Sequence, residues 1–212
     1  MTDNVNFPSK WEHDYQRGTD GWDIGTPTPV FQRLLREGQL PPGRMLVPCA
    51  GRGHDAREFA RHGFQVVAVD FAREAIDAMR AALTPDATHE ILQQDFFQLP
   101  PEFTKAFDYV LEYTCYCAID PKRRDEYADT IARVLKPSGI YIALAFPLGD
   151  PSPNGPPFSY HADELIEKFR RRGFDLLHRE FPPDSIKPRK GREELVLLQK
   201  RDKIADRATS EK

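Results

Sequence analysis

Cysteine is scarce in this sequence, three in 212 residues, and no two form a CxxC pair. An odd count with that spacing argues against a disulfide framework or a zinc site, so no metal is expected. A reducing, cytoplasmic setting is the expectation. Long apolar runs are missing as well. No stretch approaches the length of a membrane span, and the N-terminal MTDNVNFPSKWEHDYQ lacks the apolar core of a signal peptide. Nor is one charge in excess. Basic residues number 30 against 33 acidic, a formal net charge of -3, which makes no electrostatic case for nucleic acid or an anionic membrane. Internal repeats and low-complexity segments are absent too. What remains, 40% hydrophobic and 30% charged residues at a length that suits one domain, is the composition of a globular protein with room for a full core.

The chain is organised around Arg44 to Asp70, RMLVPCAGRGHDAREFARHGFQVVAVD. A short apolar run is followed by small residues at Cys49-Ala50-Gly51-Arg52-Gly53, then by a helix from His54 to His62 that Gly63 closes. A second apolar run, Val66 to Val69, ends on Asp70. Strand, glycine turn, helix, strand and acid make the first half of a doubly wound α/β sheet. Gly51 and Gly53 let the backbone turn and approach a ligand, while the helix N-terminus points free N–H groups at the same spot. An acid about twenty residues beyond the glycines accepts both hydroxyls of a ribose. Two cofactors satisfy this much, a nicotinamide dinucleotide, for which Gly51-x-Gly53-x-x-Ala56 fits the fingerprint, and S-adenosylmethionine (SAM).

The rest of the chain extends that scaffold. Residues 1–25 stand apart, polar but carrying both tryptophans, Trp11 and Trp22, with Tyr15 between them; such aromatics need something to cover, a cofactor cleft or the flank of the domain. Thr28 and Pro29 open a helix with Val30, Phe31, Leu34 and Leu35 as its buried stripe. A helix is predicted over Ala72 to Leu83, broken by Thr84-Pro85-Asp86, and a short strand at Ile91-Leu92 precedes Gln94-Asp95-Phe96-Phe97, where ligand loops of open sheets lie. Phe107 to Tyr113 reads as a strand, Pro121 to Leu135 as a helix ended by Lys136-Pro137-Ser138-Gly139, and Ile140 to Phe146 as a strand covered on both faces. Cys115 and Cys117 read as buried small residues. The proline-rich loop 147–157 walls the strand ends; a helix from His161 to Arg172 and strands Phe174 to Arg179 and Leu195 to Gln199 complete seven strands. Residues 26–200 form the domain and 201–212 a charged tail.

By its ordered motifs the sequence resembles the thiopurine and thiol S-methyltransferase family, in particular the plant-type thiol, thiocyanate and halide methyltransferases. Those motifs are Trp11-x-x-x-Tyr15 with Gly21-Trp22-Asp23, VPCAGRGHDA, Val69-Asp70, Gln94-Asp95-Phe96-Phe97, Glu112-Tyr113 to Ile119, Gly155-Pro156-Pro157 and Ile186-Lys-Pro-Arg-Lys-Gly191. The resemblance implies a class I SAM-dependent methyltransferase fold, Rossmann-like, with seven mostly parallel strands and helices on both faces. It implies SAM as cofactor and a small thiol, sulfide or similar soft nucleophile as acceptor, handled by a monomer. An O- or N-methyltransferase, then a nicotinamide oxidoreductase, are the alternative readings. Carried over residue by residue, Trp11, Tyr15 and Trp22 cover the cofactor; Gly51, with Gly53 in the same turn, lies under its methionine part; Asp70 takes the ribose; Asp95 and Phe96 take the adenine side; and Tyr113 stands beside the cofactor. Tyr113, Tyr116 and Arg124 are the candidate catalytic residues, the tyrosines as hydroxyls that would act if a base exists, Arg124 as an arginine that in the thiopurine branch lies near the substrate or cofactor. The chain departs from the usual Val-Pro-Gly-Cys-Gly by placing Cys49 and Ala50 where Gly and Cys are expected, and Tyr15 where Trp is common.

Overall fold

Apolar runs that alternate their buried face build the sheet, and the turns between them decide which ends meet. The computed structural model describes residues 4–83 and 89–202. Its strands are β1 (Arg44–Pro48), β2 (Gln65–Asp70), β3 (Glu90–Gln93), β4 (Phe107–Tyr113), β5 (Leu135–Ala145), β6 (Phe174–Glu180) and β7 (Glu194–Lys200), in sheet order β3-β2-β1-β4-β5-β7-β6. Every neighbouring pair is parallel except those made by β7, which runs antiparallel to β5 and β6. This is the seven-stranded, Rossmann-like architecture expected from the sequence. The order reverses between β1 and β4, and a crevice opens there at the carboxyl ends of the strands.

Helices cover both faces: α1 (Pro8–Arg17), α2 (Pro29–Arg36), α3 (His54–Arg61), α4 (Arg73–Ala81), α5 (Arg124–Val134) and α6 (Ala162–Arg170). Met45 and Val47 turn to the face held by Phe31, Phe59 and Met79 of α2, α3 and α4. Leu46 turns to the other, with Ile131 and Phe169 of α5 and α6. A strand buried on both sides has no solvent face to mark with polar residues, which is why β1, β2 and β5 read as near-continuous apolar runs.

Four features differ from the sequence expectation. Residues 8–17 form a helix that the pattern did not reveal, because none of its residues is fully buried. It is fixed instead by Pro8 at its start, by Gly18 in the left-handed region at its end, and by Glu12 and Gln16 bonding Arg73 N and Glu74 at the start of α4. Thr28 stands at the N-cap of α2 but makes no cap bond; its N–H and hydroxyl go to the half-buried Asp55 of α3. The expected turn at 136–139 is absorbed into β5, with Ser138 left-handed. Cys49 and Cys115, expected to be free, are joined in a disulfide across 66 residues, with Cα atoms 5.4 Å apart. Spacing along the chain could not show that pairing, since only the sheet order sets the ends of β1 and β4 side by side. Cys117 is free and buried as expected. The predicted break at Thr84-Pro85-Asp86 and all but the first two residues of the tail, 201–212, lie outside the described residues.

Candidate active site

At the carboxyl ends of β1, β2, β4 and β5 lies a cavity of about 640 Å³, within the range of pockets that bury a cofactor-sized ligand. Its floor begins with the turn after β1, where Cys49, Gly51 and Gly53 all have positive φ, 47°, 56° and 69°. At Gly53 a Cβ would meet Met79 Cγ at 2.7 Å, so a side chain there is barred by space as well as by conformation. Asp70, on the tip of β2, ties this turn down: one carboxylate oxygen accepts Gly51 N–H at 2.9 Å and the other accepts Ala72 N–H at 2.9 Å. Burial raises its carboxyl to about 6, and the N–H bonds from Ala72, Gly51 and Phe71 hold it from rising further. Each oxygen keeps a lone pair for a further donor.

Residues from the tip of β3 add the next wall. Asp95 accepts Phe97 N–H at 2.9 Å, which fixes the turn, and both Asp95 and the buried Phe96 line the cavity. Over the opening, Trp22 receives two aromatic edges, Trp11 at 5.4 Å and 75° and Tyr15 at 5.4 Å and 86°. The segment carrying them is pinned to the glycine turn by ion pairs from Arg52 to Asp20 at 2.6 Å and Asp23 at 2.8 Å. Tyr15 is held protonated, first by burial and then by the nearby charge of Asp70.

The opposite end has a different chemistry. Thr114, Cys117, Phe146, Pro156 and Pro157 line it, with Arg189 and Arg192 from the loop before β7. The Arg189 guanidinium lies 4.8 Å from the Phe146 ring and 5.0 Å from Tyr113. One of its nitrogens donates to Trp22 O at 2.7 Å, while Nη1 is buried without a hydrogen-bond partner. Arg192 stands 5.8 Å from Phe146. These arginines belong to the motif Ile186-Lys-Pro-Arg-Lys-Gly191 and the residue after it, in which the sequence assigned no site residue; the aromatic Phe146 more than forty positions away is what makes them part of a site.

The sequence-derived residues therefore divide. Trp11, Tyr15, Trp22, Asp70, Asp95 and Phe96 meet at the cavity; Gly51 lies under its rim, bonded to Asp70. Tyr113 lines a smaller adjoining recess, its hydroxyl donating to Glu193 at 2.8 Å. Tyr116 and Arg124 sit behind the wall. Arg124 donates to Phe158 O at 2.9 Å and stacks 4.7 Å from the buried Tyr116, so its charge faces the 147–160 loop rather than the cavity. Glu112, which the residue pattern did not single out, accepts the N–H groups of Cys115 and Tyr116 at 3.1 and 2.9 Å and so shapes the turn after β4. Burial lifts its carboxyl to about 7.

The model of the thiopurine S-methyltransferase family matches residues 7–205 of this chain. A probable thiol methyltransferase 2 of Arabidopsis thaliana is 34% identical over 193 residues, covering 90% of this chain and 84% of that protein. Thiocyanate methyltransferase 1 of Brassica oleracea is 34% identical, covering 87% and 82%. Among solved structures, a Burkholderia thailandensis N1-methyltransferase of 1,6-didemethyltoxoflavin, crystallised with S-adenosylhomocysteine, superposes with a TM-score of 0.73 at 22% identity, covering 92% of this chain and 87% of that one. That likeness concerns the fold. Among the described residues no helix is long and apolar enough to cross a membrane. With a cavity of about 640 Å³ at the sheet's switch point and a buried carboxylate at the tip of β2, this chain belongs to the thiopurine S-methyltransferase family of SAM-dependent methyltransferases.

Proposed function

We propose that the enzyme moves the methyl group of SAM to a small thiol, sulfide or other soft anionic nucleophile, with thiocyanate and halide in the same class. The observation that carries this is the charge at the acceptor end: Arg189 and Arg192 beside Phe146, with a buried, unpartnered guanidinium nitrogen. Arginine stays protonated at any working pH, so that end favours an anion and offers no base. The relatives named for thiol and thiocyanate substrates support the same class.

Within this reading Asp70 holds the ribose, Asp95 and Phe96 the adenine, and Gly51 lets the backbone approach the methionine part. Trp11, Tyr15 and Trp22 cover the cofactor as a lid made by residues 1–25, over a domain of residues 26–200. When bound, SAM supplies an electrophilic methyl on a sulfonium, and the chain's task is to line a nucleophile up behind it. The aromatic cover attracts a sulfonium by about 0.5–2 kcal/mol per contact, which favours the charged cofactor over a neutral product. Arg189 and Arg192 draw the anionic acceptor to the other end. A cysteine-like thiol has a pKa of about 8.5, so a few per cent is already thiolate near neutral pH, and a less acidic alkyl thiol still ionises far more readily than an alcohol and needs no strong base. Tyr113 does not abstract a proton here: burial and Glu193 hold its hydroxyl protonated, and it donates to Glu193. We place Tyr116 and Arg124 as positioning residues, packing the turn after β4 against the 147–160 loop. A monomeric, cytoplasmic enzyme completes the proposal, supported by composition.

A panel of acceptors tests it: methanethiol, sulfide, thiocyanate and iodide against a phenol and an amine. Turnover confined to the first four is the expected result. Comparable rates on the phenol or amine would overturn the acceptor class.

A further inference from the structure

The disulfide joins the two turns that form the cavity floor, and the two ends of the bond are not equivalent. Cys115 is wholly buried, and its backbone N–H is held by Glu112. Cys49 is half-buried and lines the cavity. Each turn contains a non-glycine residue in the left-handed region, Cys49 at φ 47° and Thr114 at φ 60°, a conformation that side chains disfavour and that needs surrounding structure to hold it. The bond supplies that hold across the seam where the sheet order reverses between β1 and β4.

We propose that Cys49–Cys115 is a thiol-responsive latch on the cofactor cavity, closed as a disulfide and opened by low-molecular-weight thiols that reach it from the cavity. Attack falls on the Cys49 sulfur, since Cys49 lines the cavity and Cys115 is wholly buried. A thiol RSH ionises, its thiolate bonds to Cys49 Sγ, the Cys49–Cys115 bond breaks, and Cys115 takes up the released proton. A second RSH then attacks the Cys49–SR bond, leaving Cys49 as a thiol and releasing RSSR. Two thiols are oxidised to one disulfide while the protein disulfide is reduced to two thiols. A buried thiol is a poor leaving group, so the exchange is slow. Cys117 does not act as a resolving thiol: burial, then the charge of Glu112, raise its pKa, and it points to Thr114 O at 3.4 Å.

Two non-bonded thiols need more room than a bonded pair. Cys115 is fixed in the core, so the Cys49 turn gives way and its thiol swings into the floor of the cavity. The open latch therefore binds SAM less tightly. This proposal rests on the cavity being the SAM site and is indifferent to which acceptor is methylated. Disulfides in reducing compartments are characteristically of this transient kind.

The full-length protein purified without reductant is compared with the same protein after dithiothreitol, then again after oxidised glutathione. Alkylation in denaturant followed by mass spectrometry should find one free cysteine, then three, then one. Calorimetry should find that the SAM Kd rises about tenfold on reduction, within the range typical of coupling between sites, and is restored by reoxidation. Cys49→Ala and Cys115→Ala should each lose the response to dithiothreitol, whereas Cys117→Ala should keep it. Three alkylated cysteines in the unreduced protein, a SAM Kd that is equal or lower after reduction, or a response that survives in either variant would overturn the latch. Absence of SAM binding in every form would instead contradict the cofactor site itself.

Discussion

The two ends of the cavity are built by different rules. Over β1, β2 and β3 the candidate ligand groups are strand-tip acids and backbone, Asp70, Asp95 and Gly51, each within three residues of the strand that places it. Over β4 and β5 the site is assembled from Thr114, Phe146, Pro156, Arg189 and Arg192, brought from four separate stretches of chain. The first end is acidic and suits the hydroxyls and amine of an adenosine. The second is cationic and aromatic and suits an anion. In the proposed reading, cofactor binding is a property of the α/β scaffold, whereas acceptor choice belongs to the loops that gather around its far end.

The largest effect should come from the acidic end. Asp70→Ala removes the charged acceptor for two hydroxyls in a buried site, and SAM affinity should fall by about 2–4 kcal/mol as measured by calorimetry. An unchanged affinity would remove Asp70 from the site. Titration of the same group gives a second readout. The carboxyl is protonated below about 6, so SAM binding by the wild type should weaken as pH falls through that value, at most about tenfold per unit, and this dependence should vanish in Asp70→Asn.

At the cationic end, Arg189→Met keeps apolar cover on Phe146 but deletes the charge. For thiocyanate and iodide kcat/KM should fall about 10- to 150-fold, the worth of one charge-assisted hydrogen bond, with a smaller loss of SAM affinity through the lost bond to Trp22 O. Equal losses for SAM and for the anion would mean that Arg189 serves the lid alone. The two ends would then no longer be distinct.

That division also explains what the sequence disclosed. The glycine turn, Asp70 and the seven strands were legible because each is written in contiguous residues, with a period or a spacing that physics fixes. Helix α1 was not, since it buries no side chain completely and has no apolar stripe. Arg189 lay within the Ile186 to Gly191 motif but, like Arg192, was given no role, because its partner Phe146 is distant in sequence. Arg124 was expected near the substrate or cofactor, yet its buried guanidinium turns to Phe158 O, an orientation set by the cluster of Tyr116 and Tyr160 around it. The disulfide depends wholly on strand order.

Smaller effects sharpen the seam between the ends. Tyr113→Phe removes a hydroxyl that bonds Glu193 and should change thiol turnover far less than the 10²–10⁴-fold that general bases contribute. A loss in that range, seen with thiols and not with iodide, would reveal a base. Glu112→Gln should be milder still. Its remaining carbonyl oxygen can accept the N–H groups of Cys115 and Tyr116, which both go to one oxygen in the wild type. Because the Glu112 carboxyl rises from 4.5 to about 7 on folding, the native state holds its proton more tightly, and its contribution to stability is lost as pH climbs through about 7. Thermal melts of the ligand-free protein should lose stability between pH 5 and pH 8 by about 1–3 kcal/mol more in the wild type than in Glu112→Gln.

The pH dependence of kcat/KM for two acceptors, both measured above about pH 7 where Asp70 is ionised, tests most directly the claim that this site positions a nucleophile and does not deprotonate one. With a simple alkyl thiol the rate should rise with pH up to the thiol's own pKa and level off only beyond it. With thiocyanate, anionic throughout, the profile should be flat over the same range. A rise for thiocyanate, or a thiol profile that levels well below the thiol's pKa, would show that an enzyme group carries the proton and would contradict the account.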